Sequence, residues 1–476
     1  MYQVINCDNQ FYCLFDAQVT VPTLLAARYL ESQLLPKALK TQKSELDSLK
    51  LFYDFWLEKF GVTLDYSLYQ SGFVGVQSIA DELDAFWDYM LSGKQVSNVV
   101  MLPSTYGVAE INKRKRTAAK RCIDVIRFIV FLSDTYLTLQ YQNDSSKSLI
   151  RQKKVIAAQL SERRAKYHKF ASTSKDPSSS EILRSLTSEQ FSDLIKIFTP
   201  NKAKPNQDSN PTTFTVLETN PLNPIISFEI QMRNYLMTTL LVQFGLRVGE
   251  ALLLHKESFL PFRSDKTRML MRVRNLEDER EDIEDIRTNK PSIKTAESVR
   301  ELEIPVKFYK QLMLYYTLMR PHICEHEYIF SAHKSPYKPL SYSTYLTEFT
   351  KYVSEFKRRF PEHFEPTYAE SIEGDVTPHW LRHTWAYSTL SLIYDQLKSD
   401  YMSSGTVDIK GLMEDAKEKL RVLGGWSQRS RMPSKYAKRF IQEEANKALL
   451  NVFYGDQNSL LLHQLEEEDW DAAFGG

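Results

Sequence analysis

Cysteine is scarce in this chain of 476 residues. The four present, Cys7, Cys13, Cys122 and Cys324, have no metal-ligand spacing and are too few to staple a fold, which fits a reducing cytoplasm. No uncharged apolar run approaches the ~18 residues of a membrane-spanning helix, so no membrane partner is expected. The first residues, MYQVINCDNQ, carry neither a basic stretch nor an apolar one, so no secretion signal is expected. No carboxylate pattern of the metal-binding kind stands out, and no segment repeats. Net charge is almost missing too, with 61 Lys and Arg against 60 Asp and Glu. What remains is ordinary globular material, 42% hydrophobic and 25% charged. That is enough for a large core, and the chain is too long for one domain.

The small net charge hides a segregation. Residues 277–285 (EDEREDIED) hold seven acids and one base, and residues 466–471 (EEEDWD) hold five acids. Outside these blocks 60 bases face 48 acids. Lys113, Arg114, Lys115 and Arg116 are consecutive, with Lys120 a helical turn further on. Residues 151–169 hold seven bases against Glu162 alone. Residues 421–440 hold six bases, among them Arg429, Arg431 and Lys435, and no acid. Clustered cations suit a phosphate backbone, since each neutralised phosphate releases counterions. One such cluster is equally a solvated helix face; three beside concentrated acidic blocks make nucleic acid a candidate partner.

Residues 1–21 read as an extended arm or hairpin, with Tyr2, Val4 and Ile5, a turn signal at Asp8-Asn9, then Phe11 to Phe15. Residues 22–142 read as helical, with Leu46, Leu49, Phe52 and Phe55 or Trp56 at helical spacing. Residues 143–182 are polar and basic, Ser-rich from Ser172, and read as a linker with room for a helix over 150–166. A further unit is expected over 183–455. Thr187 or Ser188 can cap a helix running to about Phe198. A helix over 226–254 breaks at Gly245, and 267–274 and 299–304 alternate as strands. The acidic residues 276–287 fall between those strands as an insertion. Residues 456–476 form a tail, apolar and then acidic. The expected fold class is mainly α with a small antiparallel β-sheet.

Four separated stretches could carry chemistry. In Phe244-Gly245-Leu246-Arg247-Val248-Gly249-Glu250 an apolar helix ends at a glycine suited to a left-handed cap. Arg247 follows on the turn, with Glu250 placed to orient it; alone, such a pair is commonly a surface ion pair. Lys294-Thr295 precedes the second strand. In Thr377-Pro378-His379-Trp380-Leu381-Arg382-His383-Thr384, Thr377 suits an N-cap and Pro378 the first helical position. Leu381, Trp385 and Leu392 would share the buried face. His379 and Arg382 would then be neighbours at a helix N-terminus, a setting suited to an anion. In the fourth, Leu423-Gly424-Gly425-Trp426 is followed by Tyr436 at a helix start among cations. Phe440, Ile441, Ala445 and Leu449 repeat beyond it.

Together these stretches resemble the tyrosine recombinase (phage-integrase-like) family, whose catalytic set is Arg, Lys, His-x-x-Arg, His or Trp, and Tyr, in that order. This chain offers Arg247, Lys294, His379, Arg382, Trp426 and Tyr436 in that order. The flanking residues agree: GLRVGE, Lys-Thr before a strand, HWLRHT and LGGW. Trp426 stands where histidine is more frequent, the gap from Trp426 to Tyr436 is one residue longer than usual, and Lys290 is a nearby alternative to Lys294. The resemblance implies a helical core-binding (SAM-like) domain over 22–142 and a mixed α/β catalytic domain over 183–455, clamped on duplex DNA. It implies cleavage and rejoining at double-stranded attachment sites through a 3′-phosphotyrosyl intermediate, integrating or excising a mobile element. The partners implied are a homo-tetramer on synapsed DNA and an accessory DNA-bending protein, in the bacterial cytoplasm on the nucleoid. No metal, ATP or other cofactor is implied.

Within the resemblance, each residue has a chemical role. Phosphotyrosine stores the bond energy of the broken backbone. Arg247 and Arg382 would hold the non-bridging oxygens, His379 would be the acid/base and Lys294 would protonate the leaving 5′-oxygen. Trp426 would donate its indole N–H to a phosphate oxygen, while Glu250 and His383 would orient the arginines. Apart from the resemblance, residues 456–476 read equally as a segment docked on a neighbouring subunit and as a frayed acidic tail. Two other classes compete: a non-catalytic DNA-binding accessory protein of the same fold, and a type IB-like topoisomerase.

Overall fold

The structure is a computed structural model, and it describes residues 1–8, 10–71, 75–92, 108–137, 146–172, 185–202, 217–280, 283, 285–287, 289–293, 295–404 and 409–455. The chain divides into two compact units, Met1–Glu181 and Ile182–Gly476. The fold class is mainly α with small antiparallel sheets. Among the described residues no helix is long and apolar enough to cross a membrane.

The first unit opens with strands β1 (Tyr2–Cys7) and β2 (Phe11–Asp16), antiparallel with Tyr2 opposite Asp16, and β3 (Val21–Pro22) pairs on β2. Among the described residues the α-helices that follow are α1 (Leu24–Tyr29), α2 (Leu39–Phe60), α3 (Leu64–Gln70), α4 (Val76–Asp81), α5 (Leu83–Leu91), α6 (Val108–Leu132) and α7 (Ser146–Ser172). Helix α2 buries Leu46, Leu49, Phe52, Phe55 and Trp56, the face its periodicity predicts. It ends at Gly61 in the left-handed conformation, φ +71°.

Two expectations change here. Residues 1–21 are no free arm. Alternation puts Tyr2, Tyr12 and Leu14 on one face, buried in the same core as α2, and the Tyr2 N–H donates to Asp54 Oδ1 at 3.0 Å. The linker expected over 143–182 is largely helix α7, whose Ile156, Leu160 and Tyr167 are buried in that core. Among its cations, Lys166 and Arg163 reach Asp84 at 3.0 and 3.4 Å, and Arg163 Nη1 donates to the Ala80 carbonyl at 2.8 Å. The Ser-rich segment after it lies outside the described residues.

The second unit begins with α8 (Ser188–Phe198), closed by a capping box in which Thr187 and Gln190 satisfy each other's backbone N–H groups. A two-residue ladder of β4 (Asn201–Lys202) and β5 (Leu217–Glu218) precedes α9 (Phe228–Gln243) and the short α10 (Val248–Leu252). A three-stranded antiparallel sheet then runs β6 (Phe259–Pro261), β7 (Arg268–Val273) and β8 (Arg300–Pro305), with Arg268 opposite Pro305. Helices α11 (Val306–Leu314), α12 (Tyr342–Arg359), α13 (Pro378–Ser404), α14 (Ile409–Gly424) and α15 (Met432–Gly455) complete it.

Helix α13 buries Leu381 and Trp385 as expected, but Leu392 is 70% exposed. Beyond Trp385 the helix packs on α14 and α15, and Leu390 and Leu397 take the buried positions. On α15, Phe440 is buried while Ile441 and Leu449 are exposed. The acidic insertion between β7 and β8 is anchored at both ends. Leu276 is buried at its start. At its end Arg287 Nη2 and Asp285 Oδ2 pair at 2.6 Å in the interior, and Arg287 Nη1 donates to the Leu252 and Leu340 carbonyls at 3.1 and 3.0 Å.

Candidate active site

Two of the sequence stretches, together with strand β8, converge on one carboxylate. The chain leaves α9 through Gly245, φ +61°, so the Leu246 N–H reaches back to the Leu240 carbonyl at 3.2 Å. That turn delivers Arg247 to the N-cap of α10, where its backbone N–H donates to Glu250 Oε2 at 2.9 Å. Arg247 Nη1 also bonds Glu250 Oε1, and it donates to Ser298 Oγ at 3.1 Å. From β8, Arg300 Nη2 donates to Glu250 Oε2 at 3.0 Å. From α13, Arg382 Nη1 lies 3.7 Å from the same oxygen. Three guanidiniums thus surround one buried carboxylate, leaving an excess of positive charge that an anion can neutralise. Burial alone would raise the Glu250 carboxyl; Arg300, Arg382 and Arg247 outweigh it and hold it below the usual carboxylate range.

Arg382 is only 2% exposed, and burial pushes its guanidinium down to about 9 against the opposing pull of Glu250. Its fork is satisfied by backbone: Nη1 by the Gly245 carbonyl and Nη2 by the Gly424 carbonyl. Both acceptors must be glycine. A Cβ on Gly245 would fall 2.2 Å from the Trp385 ring, and one on Gly424 would fall 2.2 Å from the Trp426 ring. Those rings also flank the guanidinium, with Trp426 4.9 Å and Trp385 5.8 Å from its Cζ.

The end of α14 explains why cations gather there. Its last carbonyls have no helical partner and sit at the negative end of the helix dipole. The last two, and the two that follow the helix, capture side-chain donors: Leu423 from Arg300 Nε at 2.8 Å, Gly424 from Arg382, Gly425 from Ser298 Oγ at 3.2 Å and Trp426 from Arg421 Nη1 at 2.9 Å.

Tyr436 stands in the first turns of α15 and is 1% exposed, with its ring 6.0 Å from Trp426. Burial raises the phenol well above its ordinary value, while Arg382 and Arg247 pull it down. Its Oη is 2.5 Å from His383 Nδ1. His383, read as an orienting residue, is therefore the imidazole against the phenol. His379 packs edge-on to His383, ring centroids 4.4 Å apart, and is itself exposed. The structure thus gathers Arg247, Glu250, Arg382, His383, Trp426 and Tyr436, with His379 adjoining. Lys294 lies outside the described residues, as does the tail 456–476. Its alternative, Lys290, pairs with Glu277 of the acidic insertion at 2.5 Å.

Arg300 and Ser298 were missed by the sequence reading. Their signal was available in the same strand-entry motif as Lys294, but Arg300 sits in an alternating stretch that looks like ordinary sheet surface. Of the cations read as DNA-binding, Arg429 and Arg431 are exposed beside the Trp426–Tyr436 segment and Lys435 is half-buried. In the first unit Lys113, Arg116 and Lys120 are exposed on α6, and Arg114 and Lys115 partly so. There α2 and α6 enclose an open groove of about 350 Å³, whose lining includes Lys40, Lys43, Lys120 and Arg121, with Asp47 the one acid. Lys40, Lys43 and Arg121 were not singled out in the sequence.

One group of metal-ligand type converges among the described residues, His255, Glu257 and Glu327, with ligand atoms within 4.8 Å. Lys256 and Arg280 already pair with its carboxylates, and no residue of the arginine–tyrosine cluster belongs to it.

No curated protein matches the chain. Among solved structures, the post-cleavage complex of the XerH site-specific recombinase with a palindromic difH substrate aligns over 80% of this chain and 97% of its own, at 10% identity and a TM-score of 0.37. The pre-cleavage complex of XerH with difH aligns over 82% and 95%, at 11% identity and a TM-score of 0.28. Likeness at these scores carries no weight for function. The phage integrase family model, by contrast, matches residues 215–392. That span includes Arg247, Lys294, His379 and Arg382 and ends before Trp426 and Tyr436. On this match, residues 215–392 carry a domain of the phage integrase family, the tyrosine recombinases.

Proposed function

We propose that the protein is a site-specific DNA recombinase that cleaves and rejoins DNA through a 3′-phosphotyrosyl intermediate on Tyr436, using neither metal nor ATP. The observation that carries this reading is the contact of Tyr436 Oη with His383 Nδ1 beside two guanidiniums. A phenol held protonated by burial needs a base within hydrogen-bond reach, and His383 meets that requirement.

In the proposed step Tyr436 Oη attacks the scissile phosphorus. The O–P bond forms, the bond to the 5′-oxygen breaks, and the phenolic proton passes to His383. The leaving oxygen takes a proton from a general acid, the role we assign to Lys294. Charge gathers on the non-bridging oxygens. Arg247, whose side chain is 21% exposed, is the guanidinium open to an entering phosphate. Arg382 adds its field from the interior, and Trp426 packs the site. Rejoining reverses these transfers, with a different 5′-hydroxyl as nucleophile. The exposed cations near Tyr436 and the groove between α2 and α6 would hold the DNA backbone. Recombination of a mobile element would proceed in a homo-tetramer, with an accessory bending protein.

The test uses nicked duplexes with a randomised core, denaturation in SDS and recovery of protein-linked DNA. Wild-type protein is expected to give an adduct whose linkage maps to Tyr436. Tyr436→Phe should abolish the adduct and keep binding. An adduct that persists in Tyr436→Phe would refute the assignment, and relaxation of supercoils without site preference would favour a topoisomerase.

A further inference from the structure

Arg300 is an arginine with no free end. Its side chain is 6% exposed, and its fork is spent on three different segments. Nε donates to the Leu423 carbonyl at 2.8 Å, Nη1 to the Ser298 carbonyl at 2.9 Å and Nη2 to Glu250 Oε2 at 3.0 Å. The neighbouring backbone is built around it. Gly425 has φ +58°, and a Cβ there would lie 2.9 Å from Arg300 Nη1 and 3.0 Å from Ser298 Cα. Other buried arginines of this unit, Arg287 and Arg320, also tie backbone segments together. Arg300 differs in one respect: its carboxylate partner is the one that holds Arg247 and faces Arg382.

From this geometry we propose that Arg300 is a positioning residue for strand cleavage. Its fork fixes the Glu250 carboxylate and the Leu423–Trp426 segment, and through them Arg247, Arg382 and the entry to Tyr436. The inference rests on the recombinase reading above. Arg300 touches no substrate; it sets where the substrate-facing guanidinium points. A lysine would keep the charge but could not span three acceptors.

The experiment measures the single-turnover rate of adduct formation on duplexes recovered by wild-type protein, together with DNA affinity and melting temperature. Arg300→Lys and Arg300→Gln are each expected to slow adduct formation by about 10²-fold, the scale of a misplacement near 1 Å. Binding should stay within about twofold, since cleavage geometry rather than docking is lost. In Arg300→Gln the acid limb of the rate profile should move to higher pH, because Glu250 loses one of the cations that hold its carboxyl down. Adding Glu250→Gln to either variant should cost nothing further, the mark of two residues acting through one another. Additive losses, or a wild-type rate in Arg300→Lys, would overturn the proposal. If Arg300→Gln does not fold, Arg300→Lys carries the same cycle. Absence of any adduct from wild-type protein would sink the recombinase reading itself.

Discussion

Among the described residues both units bury carboxylates, but only the second also buries arginines. In the first, the buried charged residues are carboxylates, Glu45 and Asp124, and none of its described Lys or Arg residues is buried. In the second, Arg233, Arg287, Arg320 and Arg382 are all buried. The carboxylates are met by hydroxyls and half-exposed cations: Tyr29 donates to Glu45, Ser48 to Asp124, and Arg127 reaches both acids. Each arginine is met by at least one backbone carbonyl, with Asn234 and Glu348 beside Arg233 and Asp285 beside Arg287. Arg233 bonds the Ser331 carbonyl, Arg320 those of Tyr328 and His326, Arg287 those of Leu252 and Leu340, and Arg382 those of Gly245 and Gly424. The lesson concerns connectivity. Packed helices satisfy their own backbone, so the first unit can leave its cations on the surface. A unit whose site is assembled from loop ends has orphan carbonyls to satisfy, and a rigid guanidinium fork can join two of them at once.

The largest test of this contrast is Arg382→Ala. It strands two loop carbonyls and weakens the cationic cage of a buried carboxylate, so unfolding of the second unit should become easier by about 3–5 kcal/mol. The first unit should melt unchanged, as read by calorimetry and by hydrogen exchange resolved by peptide. A loss shared by both units would break the distinction. Gly424→Ala is next. Its Cβ would meet the Trp426 ring, so about 1–3 kcal/mol of destabilisation is expected in the same unit. A neutral result would mean that the ring moves aside freely.

Acidification should separate the units as well. Burial holds the His326 and His333 imidazoles at about 4, with Arg320 and Arg233 as the next causes. The unfolded chain takes those protons first, so the second unit loses stability as pH falls from about 6.5 toward about 4. Glu250, held low in the fold, adds loss in the same direction. In the first unit Asp65 and Asp124 are raised by burial. The folded form then binds the proton more readily, and acidification favours it; Asp84, held low beside Lys166, is the exception. Exchange protection should therefore fall in the second unit before the first between pH 7 and 5. The reverse order would contradict the assignment. The smallest effect sharpens the surface side of the comparison. Lys43→Ala or Lys120→Ala, in the α2–α6 groove, should leave stability alone and reduce the salt dependence of DNA binding by about one unit of slope. An unchanged slope would exclude the groove from the DNA path.

Much of this was legible in the residues. The buried face of α2, the Thr187 capping box, the break at Gly245 and the β7–β8 pair follow from period, cap and turn chemistry, which act over a few positions. The packing of the hairpin at residues 1–21 and of the helix within 143–182 into the core was not legible, for one reason. Each looks polar or isolated along the chain, and each is completed only by packing against distant helices.

What the sequence by itself determined is the order and local setting of the polar residues: Arg247 on its turn, His379 to His383 at a helix start, two glycines before Trp426, and Tyr436 beyond. The tertiary structure alone decided which of them touch. His383 meets Tyr436 across 53 positions, and Arg300 reaches Leu423 across 123. Helix periodicity cannot rank His383 above His379, nor mark Arg300 as more than a strand residue. Such choices depend on where loop ends meet, and that is set by the packing of the whole unit.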